Sequence, residues 1–179
     1  VVAANRRLKW QHVTMKTITS FDPIANKDCR ILILGSIPGE ISLQTGQYYA
    51  HPRNAFWRIM GNIFGFSAEL PYEARIEALQ QSGVAIWDVL QACVRSGSLD
   101  SAIAAGSRVP NAFQPFFNSH PKIEQVGFNG AEAKKSFTRY VLPTIDSKNL
   151  HFVGLPSSSP AHAVKWEKKL ATWREQLNL

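Results

Sequence analysis

Along the chain, short unbroken apolar runs alternate with stretches in which apolar residues return every three or four positions. Arg30-Ile31-Leu32-Ile33-Leu34 is of the first kind, closed by Gly35, and has the pattern of a strand buried on both faces. From Phe56 the apolar residues Phe56, Trp57, Ile59, Met60, Ile63 and Phe64 keep helical spacing, and Gly65 supplies a stop. Pro71 opens a second helix that turns Tyr72, Ile76 and Leu79 inward, and Gly83 ends it before a strand-like run over 84–89. After a loop through Gly97 to Asp100, Asn111 is placed to cap a short aromatic helix carrying Phe113, Phe116 and Phe117. The alternation then repeats as a strand over 123–128, a helix over 131–140, a strand over 151–155 and a last helix with Trp166, Leu170, Trp173 and Leu177 on one face.

Four strands separated by helices predict an α/β fold, a three-layer α/β/α sandwich around a central four-stranded, mainly parallel sheet. Ligands of such sheets sit beyond the carboxyl ends of the strands. Four unusual segments follow strands here, 35–54, 88–100, 129–130 and 156–162, and they are expected to converge on one cleft. There is no internal repeat, low-complexity stretch or linker, so residues 15–179 read as one domain and residues 1–14 as an N-terminal extension.

Composition narrows the classes. The chain has 179 residues, 45% hydrophobic and 11% aromatic, enough for a substantial core. No apolar run approaches the roughly 18 to 20 residues that span a bilayer, and the first residues lack the apolar core of a secretory signal, so a soluble intracellular protein is expected. Cys29 and Cys93 are the only cysteines, which excludes a disulfide framework, a four-cysteine zinc site and a cysteine-ligated iron–sulfur cluster, and fits a reducing compartment. The net charge of +7 suggests a polyanionic partner. Arg6, Arg7 and Lys9 lie in the extension, however, leaving 17 basic against 13 acidic residues in the domain.

The first loop, Gly35-Ser36-Ile37-Pro38-Gly39, is neither a P-loop nor a G-x-G-x-x-G dinucleotide turn, which argues against nucleoside triphosphate and NAD chemistry. Alone it is a tight turn after a strand. The following Tyr48-Tyr49-Ala50-His51-Pro52-Arg53-Asn54 gathers two aromatic faces, an imidazole, a guanidinium and a carboxamide before a helix, a set suited to a planar polar ligand on an anionic backbone. These two segments, with Gly97-Ser98-Leu99-Asp100-Ser101 and Leu155-Pro156-Ser157-Ser158-Ser159-Pro160, resemble the uracil-DNA glycosylase superfamily, and within it the hypoxanthine-DNA glycosylase (DNA-deoxyinosine glycosylase) branch. The resemblance runs from about Met15 to the C-terminus.

The resemblance implies a monofunctional base excision repair enzyme that extrudes a deaminated base, hypoxanthine foremost, and hydrolyses its N-glycosidic bond to leave an abasic site. It implies a base pocket made by Ile37, Pro38, Gly39, Tyr49, Asp88 and Asn129. Tyr49 matches the aromatic that stacks on the extruded base, although Tyr48 and Tyr49 both suit a core as well. Sister families carry an Asp or Asn where this chain has Ser36, and a hydroxyl is a poor base; the hypoxanthine branch shares that replacement and associates catalysis with the Asn matching Asn54. Asn54 equally fits the N-cap of the Phe56 helix. Asp88 suits the reading of ring N–H groups, the capping of a turn or the binding of an arginine.

On the DNA side, the resemblance places Ser157, Ser158 and Ser159 against phosphates and Pro160 and His162 in the loop that wedges into the duplex. Uracil-specific relatives start that motif with a histidine where Leu155 stands, which leaves His51 and His162 open as phosphate contacts or leaving-group partners, and Arg53 as a phosphate clamp. The expected partner is DNA containing deaminated bases, with no cofactor, no metal and no membrane, the chain acting as a monomer. The expected location is the cytoplasm, at the nucleoid, in a prokaryote, or the nucleus in a eukaryote. Three other readings remain: a glycosylase of uracil or thymine mispaired with guanine, a lesion-binding protein without catalysis, and a hydrolase with Ser36 as nucleophile, the last outside any G-x-S-x-G elbow.

Overall fold

The computed structural model describes residues 16–179, so the extension expected over 1–14 lies outside the described residues. In chain order the elements are β1 (Lys16–Thr19), β2 (Ile31–Gly35), α1 (Glu40–Thr45), α2 (Phe56–Phe64), α3 (Tyr72–Gln81), β3 (Val84–Asp88) and β4 (Leu90–Arg95). They continue as β5 (Val109–Pro110), α4 (Phe113–Ser119), β6 (Gln125–Asn129), α5 (Ala131–Ser136), β7 (His151–Leu155) and α6 (Trp166–Leu177). Among the described residues no helix is long and apolar enough to cross a membrane.

The mainly apolar strands β3, β2, β6 and β7 pair in parallel in that order. Gly35 lies opposite Asp88, Leu34 opposite Phe128, and Asn129 opposite Leu155, so all four strands finish at the same edge of the sheet. Strand alternation divides the side chains between two cores. Leu32, Leu34, Ala85, Trp87, Val126 and Phe128 meet Phe113, Phe116 and Phe117 of α4 and the aromatics after α5 on one face. Ile33, Val84, Ile86, Val153 and Leu155 meet Phe56, Ile59 and Met60 of α2, Leu79 of α3, and Trp173 and Leu177 of α6 on the other. Each such large side chain taken wholly out of water stabilises the fold by roughly 1.5–3 kcal/mol. Helices on both faces of a central parallel sheet make the expected three-layer α/β/α sandwich.

Several local expectations are corrected. A second, antiparallel sheet ordered β1-β4-β5 is present, and β4 occupies the first half of the segment expected to be a loop after Asp88. The 35–54 loop contains α1. The helix expected over 131–140 is regular only to Ser136, then widens into a π turn over Phe137–Val141 and tightens into a 3-10 turn over Leu142–Thr144, where Pro143 has no N–H to continue the ladder. Asn111 does not cap α4: Ala112 stands at that position, and the Asn111 amide donates to the Asp88 carbonyl at 2.8 Å. Trp166 does not share the buried face of α6, which is Lys169, Trp173 and Leu177; it is half-buried under the Arg58 guanidinium, 3.7 Å from its ring centre.

Candidate active site

At the common carboxyl edge, the segments after β2, β3, β6 and β7 enclose a cavity of about 510 Å³. Its wall takes Ser36, Ile37, Pro38, Gly39, Tyr49, His51, Arg53 and Asn54 from the first segment, Asp88 and Asp100 from the second, Asn129 from the third, and Ser157, Ser158, Ser159 and Pro160 from the last. Twelve of those fifteen come from the sets placed around the base and the phosphates on sequence grounds, and Ser36 and Asn54 are the two residues given catalysis. His162 does not line this cavity but a second of about 950 Å³, which shares Tyr49, His51, Arg53, Asn54 and Pro160 with the first. Asp100 is the fifteenth, and its sequence position alone assigns it no role.

Two features of the first segment fix the cavity floor. A Cβ on Gly35 would press into the Asp88 carboxylate and come within 3.1 Å of the Tyr49 hydroxyl, so only glycine lets β2, β3 and Tyr49 close together. Tyr49 holds a left-handed backbone with φ of 55°, unfavourable for a bulky side chain by about 1–3 kcal/mol. Neighbouring bonds impose it: Tyr48 N–H donates to the Tyr72 hydroxyl, Trp57 Nε1–H to the Tyr48 carbonyl, and Ala50 N–H to the Ser42 hydroxyl. Tyr48 is a core aromatic, 3% exposed, with its hydroxyl bound to the Asp22 carbonyl at 3.1 Å. The Tyr49 ring lies on Phe56 with centroids 3.8 Å apart, so one face is already covered. Its buried hydroxyl faces Asn129 without meeting hydrogen-bond geometry, and burial raises its pKa far above the ordinary tyrosine range.

Asn54 Oδ1 accepts the Phe56 N–H at 3.0 Å, although the N-cap position itself is Ala55. The helix-start role and the place in the cavity wall are therefore combined in one side chain. His51 Nδ1 accepts the Arg53 N–H at 3.0 Å, which leaves the proton of a neutral ring on Nε2. Arg53 is exposed at the mouth.

The last segment is held from several sides. Asn129 donates through Nδ2 to the Ser158 hydroxyl and accepts the Ser158 N–H at Oδ1, both at 2.8 Å. The Ser158 carbonyl receives the Ala55 N–H at the start of α2. Lys169 donates to the Ser159 carbonyl at 3.0 Å, and Trp173 Nε1–H to the Pro156 carbonyl at 2.9 Å. Lys169 is 3% exposed, and desolvation lowers its pKa. The Ser157 and Ser159 hydroxyls accept N–H groups two residues onward, so the serines shape the turn while keeping a hydroxyl proton to donate.

Two carboxyl groups share the slot. Asp88 is 3% exposed and accepts the Ser20 hydroxyl at 2.9 Å. Burial pushes its pKa up to about 7, with the Asp100 charge adding to the shift and the Ser20 bond and Arg95 opposing it. Asp100 Oδ1 accepts the Ser36 hydroxyl at 2.7 Å, and its pKa is raised by burial against the pull of that bond and of Arg95. Among the described residues no group of three His, Cys, Asp or Glu side chains could hold a metal ion. Ser20, Arg95 and Asp100 act on the slot without a role that the sequence alone assigns them. Asp100 alone carried a local signal, its place in the Gly97-to-Ser101 motif.

Comparison with known proteins matches this architecture. A family model described as the uracil DNA glycosylase superfamily matches residues 23–178. A hypoxanthine DNA glycosylase of Methanosarcina barkeri is 33% identical over 156 residues, covering 87% of this chain and 94% of that protein. Its counterpart in Methanosarcina acetivorans is 32% identical over 154 residues, covering 86% and 93%. A protein of Methanosarcina acetivorans solved by solution NMR as a candidate uracil DNA glycosylase superimposes with a TM-score of 0.74 at 30% identity, over 90% of this chain and 99% of that one. Glycosylases of this kind act on DNA and hydrolyse N-glycosyl bonds. With the family model spanning nearly all of the described residues, and the four strand-terminal segments gathered around one slot, the chain belongs to the uracil DNA glycosylase superfamily.

Proposed function

We propose that this protein excises hypoxanthine from DNA by hydrolysis, without forming a covalent intermediate, and leaves an abasic site. The observation that carries the reading is a buried Asp88 carboxyl in the same slot as Tyr49 and Asn54. Deamination of adenine turns an amidine edge into a lactam, with a carbonyl oxygen beside a ring N–H. A neutral carboxylic acid presents one donor and one acceptor side by side and matches that pair, whereas a carboxylate offers only acceptors. With its pKa at about 7, Asp88 is available in the neutral form around neutral pH. The two Methanosarcina relatives named for hypoxanthine support the same base.

The slot volume suits a single nucleobase, since small-molecule sites run from about 300 to 1,000 Å³. A base must leave the duplex to enter it, at a cost of a few kcal/mol. Stacking on the uncovered face of Tyr49 offsets roughly 1–3 kcal/mol of this. As the C1′–N9 bond opens, positive charge grows on the sugar and the electron pair departs on the base; a hydrogen bond from neutral Asp88 steadies that pair. Asn54 cannot take a proton at neutral pH, and with Oδ1 committed to α2 it acts as a fixed dipole beside the water.

The test is a panel of duplexes, each with one hypoxanthine, uracil, xanthine or mismatched thymine, incubated with purified protein in EDTA. Hypoxanthine should be released fastest, leaving alkali-labile strands, and Asn54→Ala should slow the single-turnover step by a factor on the order of 100. Faster release of uracil or thymine opposite guanine would reassign the substrate, and tight lesion binding with no release at all would make the protein a binder.

A further inference from the structure

We infer that Asp100 is the proton acceptor of the reaction, its carboxylate taking a proton from the attacking water beside Ser36; the inference rests on the hydrolytic reading above.

The first loop offers no base of its own. Ser36 is an alcohol, and its hydroxyl proton is already donated to Asp100 Oδ1 at 2.7 Å. Asn54 is a carboxamide, which takes no proton at neutral pH, and its oxygen already accepts the Phe56 N–H. Asp88 is buried, bonded to Ser20, and protonates near neutrality, which suits a donor to the base rather than an acceptor from water. His51 already accepts the Arg53 N–H on Nδ1, and Glu40 is exposed to water; Asp100 lines the same cavity, and its Oδ2 takes no hydrogen bond from the described side chains. The Ser36 bond leaves the serine oxygen lone pairs free to accept from the same water.

The placement is built, not incidental. Arg95 of β4 is 2% exposed and donates from Nε to the Gly97 carbonyl and from Nη2 to the Pro38 carbonyl, tying the loop that carries Asp100 to the loop that carries Ser36. A second tie runs from the Glu40 N–H to the Ser98 hydroxyl at 2.9 Å. The two carboxyls stand in different surroundings, Asp88 against Ser20 and Asp100 against Ser36 and Arg95, a division that assigns one to the base and the other to the water. In the step, the C1′–N9 bond breaks with its electron pair leaving on the base, and a water oxygen bonds to C1′. One water proton passes to Asp100, and the departing base takes up a proton from solvent.

The groups facing Asp100 are the Ser36 hydroxyl, Arg95 and the Arg108–Glu132 pair, with Asp88 in the same slot. Burial holds its protonation above the ordinary carboxylate range, so excision should fall on the acid side as Asp100 takes a proton.

The experiment is the pH profile of single-turnover hypoxanthine release by the full chain, with lesion binding measured alongside. Asp100→Asn should lower the rate by about 100-fold or more, keep lesion binding, and abolish the acid limb. Ser36→Ala removes a bond that holds the Asp100 pKa down and should move the acid limb to higher pH. A wild-type rate in Asp100→Asn, or a uniform loss with the acid limb unchanged, overturns the assignment and leaves the glycosylase reading standing. If Asp100→Asn fails to fold, an unmoved acid limb in Ser36→Ala overturns it as well. A wild-type protein silent on every lesion takes both down together.

Discussion

Asp88 links the chemistry of the slot to the stability of the fold. Its carboxyl ends β3 with 3% exposure, and the Ser20 hydroxyl only partly offsets the cost of ionising it there. The folded pKa of about 7 stands above the ordinary value of 3.8, so between these values the folded state binds more protons than the unfolded one. Stability is then fully present below about pH 4 and is lost as the pH rises through about 7, opposite to the sign for a salt-bridged carboxylate. About three pKa units correspond to a contribution on the order of 4 kcal/mol. The expected outcome is that Asp88→Asn, which keeps a donor and an acceptor without the charge, gains on the wild type as pH rises. Between pH 5 and pH 8 the difference in Tm should grow by roughly 5–10 °C in thermal unfolding followed by circular dichroism. A constant difference across that range would remove Asp88 as a buried titrating group.

At the scale of elements, β4 does most to shape the slot while giving the least notice of itself. Its Arg95 spans the loops after β2 and before Asp100, and Arg95→Met would leave the Pro38 and Gly97 carbonyls without that donor. The expected loss is on the order of 3 kcal/mol, or about 6–12 °C in Tm for a domain of this size, with hypoxanthine release reduced together with stability. An unchanged Tm would show that the two loops are held without the guanidinium. The central strands were legible because a strand buried on both faces must be apolar along its length, as 31–35 and 84–87 are. Sequences such as Lys16-Thr17-Ile18-Thr19 and Leu90 to Arg95 declare no such need; they become strands by pairing with each other. For the same reason the convergence of Tyr49, Asn54 and Ser157 could be anticipated from strand ends alone. The Ser36–Asp100 bond could not, because it depends on a 64-residue separation closed by β4.

For the whole molecule, the arrangement of charge matters more than its sum. At the amino ends of the parallel strands two cations have acidic partners: Arg30 pairs with Glu124, and Lys122 with Asp28. At the carboxyl ends the two adjoining cavities are edged by Arg53, Arg58 and Arg75, none of them in a salt bridge among the described residues. Arg58 and Arg75 instead lie over the Trp166 and Trp57 rings. On the glycosylase reading proposed above, these cations are the ones expected to meet the DNA backbone, a placement that the net charge alone does not give. Each phosphate neutralised by such a cation releases counterions and adds about 0.9 to the slope of log K against log salt. Arg53→Gln should therefore reduce that slope by about one for lesion and undamaged duplex alike, weakening both by a similar factor, because a phosphate contact carries no base information. Lys148 lies just before β7 at the opposite edge of the sheet, and Lys148→Gln should leave the slope as it was. Fluorescence anisotropy titrations at several salt concentrations read both numbers. Equal slope losses in the two variants would mean that DNA approaches the molecule by its charge in general and that the slot edge does not orient it.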